Sequence, residues 1–190
     1  MTSRENTLER IRQNKSEEKP LPESFSIQSI TLSDSQLTLR FKESLNKAGA
    51  GISEFANEKE ALVYLETNFH DPVNLCNSKT SIKYLGISNE ELGKTEVVIL
   101  EGQFGVAENG AIWVDEANIP NRLLPFVTRH LVIVLNRMKI VNNMHDAYKK
   151  VDMAGISFGA FISGPSKTAD IEQSLVYGAH GAKQLFVIMY

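Results

Sequence analysis

His130-Leu131-Val132-Ile133-Val134-Leu135 (HLVIVL) is the stretch on which the reading of this chain turns, because Leu131 to Leu135 contains no polar residue. A strand with one wet face alternates apolar and polar side chains. A run without alternation fits a strand covered on both faces, as in a parallel sheet between helices. The pattern returns in Leu185–Met189 (LFVIM) and Glu96–Leu100 (EVVIL), with shorter β-rich runs at Ala111–Val114 (AIWV) and Ala160–Ser163 (AFIS).

Upstream of these runs the period changes to helical. Leu37, Phe41, Leu45 and Ala48 recur three or four apart behind a Ser33/Asp34 cap, with Gly49 as the stop. Asn57 and Glu60 open a second helix whose apolar face is Ala61, Leu62, Leu65 and Phe69. The segment Arg137–Val151 reads as a solvated helix and connection. Strands alternating with helices predict a layered α/β domain, with a mostly parallel sheet flanked by helices. The N-terminus adds a short helix, opened by a Thr2/Glu5 capping box with Leu8 and Ile11 on one face, and then a polar linker from Lys15 to Pro22. The expected organisation is residues 1–22 as helix and linker, and 23–190 as the α/β domain.

The composition bounds what such a domain does. With 190 residues, 42% hydrophobic and 23% charged, the chain is neither disordered nor fibrous and supports one core. Twenty Lys and Arg against 23 Asp and Glu lack the basic footprint of a general nucleic-acid binder. The single cysteine, Cys76, excludes an internal disulfide and a four-thiolate zinc or iron–sulfur site. In its apolar run it reads as a buried, inert thiol. The four histidines show no metal-ligand spacing, so no metal site is expected. The charged N-terminus is no secretory signal, and no apolar run approaches a membrane span. A cytoplasmic protein is the expectation.

Residues 155–181, GISFGAFISGPSKTADIEQSLVYGAHG, hold five of the twelve glycines. A β-like run ends at Gly164-Pro165, and Thr168 reads as the cap of a helix running to about Tyr177, with Ile171, Leu175 and Val176 as its stripe. A strand, a glycine turn and a helix N-terminus together form an anion site, through free backbone N–H groups and the helix dipole. Ser166 and Thr168 add hydroxyls and Lys167 a cation, at what would be the carboxyl ends of the strands. The plain reading is a Gly-Pro-Ser turn and an ordinary cap, with Asp170 and Glu172 as first-turn acids that oppose an anion. No Walker or GxGxxG spacing is present.

Glu108-Asn109-Gly110, between Val106-Ala107 and Ala111-Ile112-Trp113, is a strong hairpin signal. Arg122 and Arg129 offer guanidinium groups suited to clamping a carboxylate. His180, in Gly178-Ala-His-Gly181, is either a turn histidine bonded to backbone or a proton donor or ligand contact.

Gly164-Pro-Ser-Lys-Thr-Ala-Asp-Ile-Glu172, followed by Gly178-Ala-His-Gly181 and a terminal apolar strand, resembles the closing motif of the LutC/YkgG lactate-utilization (LUD-domain) proteins. The likeness continues upstream through Glu108-Asn-Gly-Ala, Arg122, Pro125 and His130-Leu-Val-Ile-Val to the Ser3-Arg4-Glu5 helix. It implies a NagB/RpiA/CoA-transferase-like α/β fold. It also implies a role in oxidising lactate to pyruvate beside two iron–sulfur subunits, which would carry the clusters, since this chain carries no cofactor of its own. With the resemblance and the loop chemistry together, Asn109, Gly110, Arg122, Gly164, Ser166, Lys167, Thr168, Asp170 and His180 are expected to face a small carboxylate or phosphorylated ligand. Two places depart from many relatives: Asn109-Gly110-Ala111 replaces Thr-Gly-Thr, and Ala182 replaces a proline. In the related CoA-transferases a carboxylate in a similar turn is the nucleophile, which marks Glu108 as a candidate catalytic acid. A stand-alone isomerase or CoA-transferase using Glu108, and a non-catalytic ligand-binding scaffold, are the alternative functions.

Overall fold

The apolar runs become strands, and their flanking caps become helix ends. The computed structural model describes residues 2–15, 32–69, 73–74, 88–117, 119, 121–152, 154–168 and 176–190. Cys76, Asp170, Ile171, Leu175 and most of the Lys15–Pro22 linker lie outside them. The chain separates into two units, 1–30 and 31–190. In the first, α1 (Ser3–Gln13) carries the Thr2–Glu5 capping box, and none of its residues is buried.

In the second unit, α2 (Asp34–Ala48) starts at a Ser33–Gln36 capping box and stops at Gly49, whose φ of +86° suits a residue without a Cβ. Strand β1 (Gly51–Glu54) leads to α3 (Glu58–Asn68), capped by Asn57. Next come β2 (Val73–Asn74), α4 (Asn89–Leu92), β3 (Val97–Glu101), β4 (Phe104–Val106) and β5 (Ala111–Asp115). Then follow α5 (Leu124–Val127), β6 (His130–Leu135), a 3-10 turn (Arg137–Lys139), β7 (Ile140–Val141) and α6 (Met144–Lys150). The chain closes with β8 (Gly159–Ile162), β9 (Lys167–Thr168), β10 (Val176–Tyr177) and β11 (Gln184–Met189).

Among the described residues one sheet has the order β1-β11-β6-β3-β2, and every neighbouring pair in it is parallel. The mostly parallel sheet read from the apolar runs is therefore present. Its two faces explain why those runs lack polar residues. Val98, Leu100, Leu131, Ile133, Leu135, Leu185 and Val187 point into one core with Phe41 and Leu45 of α2. Ile99, Val132, Val134 and Ile188 point the other way, onto Ala61 and Leu65 of α3.

A second sheet, β7-β4-β5-β8, was not separated from the first by sequence reasoning. It contains Ala111–Val114 and, of the Ala160–Ser163 run, residues 160–162, and there β5 pairs antiparallel with both β4 and β8. Its inner residues Ile112 and Val114 join the first core, and its outer residues Phe104, Val106 and Trp113 pack with Ala147 of α6. The segment read as a solvated helix and connection also holds β7, which pairs parallel with β4. On α3, Leu62 is exposed; Tyr64 takes its place on the buried side, with its ring 4.9 Å from Phe55 and 6.5 Å from Phe69.

The expected helix from Thr168 to Tyr177 is overturned at both ends. Lys167 and Thr168 pair antiparallel with Tyr177 and Val176, so Thr168 is a strand residue and caps no helix. Residues 169–175 lie outside the described residues.

Candidate functional site

Helix α2 and the end of β8 hold the Glu108-Asn109-Gly110 turn between them. Ser44 Oγ donates to the Ala107 carbonyl at 2.9 Å, and Ser163 Oγ donates to the Asn109 carbonyl at 2.8 Å. Asn109 Oδ1 accepts the Ala111 N–H at 3.0 Å, closing a local side-chain turn. Gly110 has φ +69°, and a Cβ there would sit 2.8 Å from the Leu45 amide nitrogen. Only glycine lets the helix come this close. The hairpin reading holds. The Glu108 carboxylate accepts the Met144 N–H at 2.9 Å, in the first turn of α6, where backbone donors lack helical partners.

Past Ser163 the chain wedges Gly164 against α2. With φ +72°, a Cβ at Gly164 would strike the Ala48 carbonyl oxygen. Lys167 donates its ammonium to that same carbonyl and lies 5.9 Å from the centre of the Tyr177 ring. This makes it a cap on the end of α2, where unpaired carbonyls and the helix dipole favour a cation. Lys167 is thus engaged within the fold, where the sequence suggested a free cation.

Ser166 and His180 meet. The Ser166 N–H donates to Ala182 O at 2.9 Å, its carbonyl accepts from the Gly178 N–H at 3.0 Å, and its Oγ accepts the His180 N–H at 3.4 Å. Beside them opens a cavity of about 570 Å³, lined by Thr128, Arg129, His180, Gly181 and Lys183. Arg129, Glu96 and Lys183 directly precede β6, β3 and β11. The site therefore lies over the amino ends of the parallel strands, not the carboxyl ends expected. The reason is that β8 enters the loop from the second sheet, and so runs in a direction that the rule for parallel sheets does not cover.

The cavity's charges were only partly legible. Arg129 pairs with Glu96 at 3.5 Å with both side chains more than half exposed, a contact worth little that leaves most of the guanidinium donors available. Lys183 has no ion pair among the described residues. The sequence gives no sign of this role, because a lysine after Gly-Ala carries no motif.

Arg122 stands apart. It bonds Glu116 at 2.9 Å and covers the Phe158 ring at 5.7 Å. That is the Asp115–Gly159 end of the β5–β8 ladder, whereas Ser163 and the hairpin turn lie at the Ile112–Ile162 end. Glu116 also accepts the Ser157 N–H. That backbone bond, followed by the Arg122 guanidinium, holds the Glu116 carboxyl below the usual carboxylate range.

A family model of the LUD domain matches residues 86–190, more than half of the chain. The chain belongs to the LUD domain family. The matched stretch begins just ahead of α4, so the LUD domain takes in the hairpin turn, Gly164 and the cavity. A crystal structure of a DUF162 family protein from Deinococcus radiodurans has the same fold, with a TM-score of 0.63 at 16% identity over 84% of this chain and 99% of that one. An uncharacterised protein of Neisseria meningitidis serogroup B is 35% identical over 89 residues, 45% of this chain and 38% of its own length. A protein named lactate utilization protein C from Shouchella clausii is 31% identical over 99 residues, 50% of this chain and 43% of its own. Another of that name from Oceanobacillus iheyensis is 28% identical over 104 residues, 51% of this chain and 45% of its own. The LUD domain chain thus spans less than half the length of these three sequence relatives.

Proposed function

We propose that this chain is a lactate-utilization subunit of the C type, which binds a small carboxylate in the cavity over the amino ends of β11, β6 and β3. Its partners in this reading are iron–sulfur subunits, whose clusters take up the two electrons released as lactate becomes pyruvate. The observation that carries the proposal is the similarity to proteins named lactate utilization protein C.

The chemistry of the cavity supports it. A carboxylate needs donors and a positive field. Arg129 offers a planar fork of N–H groups, Lys183 a point charge, and His180 is an imidazole-bearing residue in the same lining. Ser166 braces the His180 turn from behind. The Gly164 turn contributes by fixing this loop against α2.

Calorimetry with lactate and pyruvate tests the ligand. Arg129→Gln and Lys183→Gln are each expected to weaken binding about tenfold with an unchanged circular-dichroism spectrum. Equal affinity in both variants overturns the cavity as the site. Co-purification with two cysteine-rich subunits, and loss of growth on lactate when the gene is deleted, test the system. No complex and normal growth together overturn that role.

A further inference from the structure

A second cavity, of about 410 Å³, opens on the outer face of the second sheet, and Trp113, Phe104, Asp115, Lys139, Lys150 and Asp152 line it. None of these residues lines the cavity discussed above. The size is at the small end of ligand cavities, which run from roughly 300 to 1,000 Å³.

The aromatic side is built firmly. The Trp113 indole lies across Gly159 of the neighbouring strand, where a Cβ would strike the ring, and packs 4.7 Å from Phe161 between ring centroids. Asp115 follows two residues later on β5, so it shares that face. Only 6% of Asp115 is exposed. Its carboxylate accepts the indole N–H at 3.3 Å and the Ala117 N–H at 3.1 Å, and no cation pairs with it among the described residues. An ionised carboxylate has about four acceptor positions, and burying one without a counter-charge is costly. Lys139 stands 3.7 Å from Glu101, whereas Lys150 has no ion pair among the described residues.

We propose that this cavity binds a small zwitterion of the α-amino acid class. Its ammonium meets Asp115, its carboxylate meets Lys150, and its apolar side chain lies on Trp113 and Phe104. A simple amine leaves Lys150 unmatched and a simple carboxylate leaves Asp115 unmatched, so a ligand with both charges fits the lining best. The charged contacts then supply the counter-charge that Asp115 lacks among the described residues.

Trp113 is the single tryptophan of the sequence, so fluorescence excited at the red edge of the absorption band, where the five tyrosines do not absorb, reports on this cavity. The full chain is titrated with L-leucine and L-phenylalanine, and separately with phenethylamine and hydrocinnamate, which carry one charge each. A saturable change with a zwitterion, at least about tenfold weaker with either half-molecule, supports the proposal. Asp115→Asn is expected to abolish the response. Lys150→Gln, at an exposed position, is expected to weaken it several-fold with the fold intact, and decides the matter should Asp115→Asn fail to fold. No saturable response to either amino acid overturns the proposal, as does an undiminished response in Lys150→Gln.

Discussion

Gly164 and Gly155 look alike in sequence and differ in what surrounds them. Both adopt positive φ, +72° and +83°, but a Cβ at Gly155 meets nothing within 4 Å, while one at Gly164 strikes the Ala48 carbonyl. A left-handed alanine costs about 1 kcal/mol by itself. Gly155→Ala is therefore expected to lose about 1 kcal/mol, and Gly164→Ala about 3 kcal/mol because backbone must also move. Urea denaturation measures both, and equal losses would show that α2 yields at no cost. The sequence showed that a glycine turn follows β8. That this turn is locked against the end of a helix more than a hundred residues earlier was not legible, because it depends on packing between distant segments.

At the scale of elements, helix caps were the most legible features. Thr2 with Glu5, Ser33 with Gln36, and Asn57 with Glu60 all act as their local chemistry predicts. The same logic misplaced Thr168. A threonine ahead of two acids suits a cap, yet Lys167–Thr168 forms a ladder with Val176–Tyr177. Pairing across the intervening segment is non-local, and helix signals do not register it. Lys167 consequently serves α2. Lys167→Ala is expected to destabilise the domain by roughly 0.5–1 kcal/mol and leave carboxylate affinity unchanged. Loss of affinity with unchanged stability would instead make Lys167 a ligand contact. Arg122 shows the complementary limit: its place in the motif is visible in the sequence, but the β5–β8 ladder carries it to the end opposite the hairpin turn.

At the scale of the whole domain, two sheets and their helices share cores, and acid stability reads how the loops between them are held. Glu116 ties the β5–α5 connection to the α6–β8 connection through the Ser157 N–H, and bonds Arg122 within its own connection. Its folded carboxyl titrates below the unfolded one. The bond therefore contributes fully above the unfolded value, and its contribution is lost as pH falls through the folded value. Glu116→Gln is expected to lower the urea midpoint at neutral pH and to converge on the parent protein in acid. A gap between the two that stays constant with pH would contradict this.

What the sequence by itself determined was local: apolar runs too continuous for a half-wet strand, caps that satisfy their own helix ends, an Asn-Gly hairpin, and a motif that indicates the LUD domain family. These features act over a few residues, within reach of one side chain. Only the tertiary structure decided which sheet each run joins, at which end of the strands the cavity opens, and which charges face it. Those depend on strand pairing and on the packing of α2 against residues from the opposite end of the chain, where the free energy comes from contacts that no short window of sequence contains.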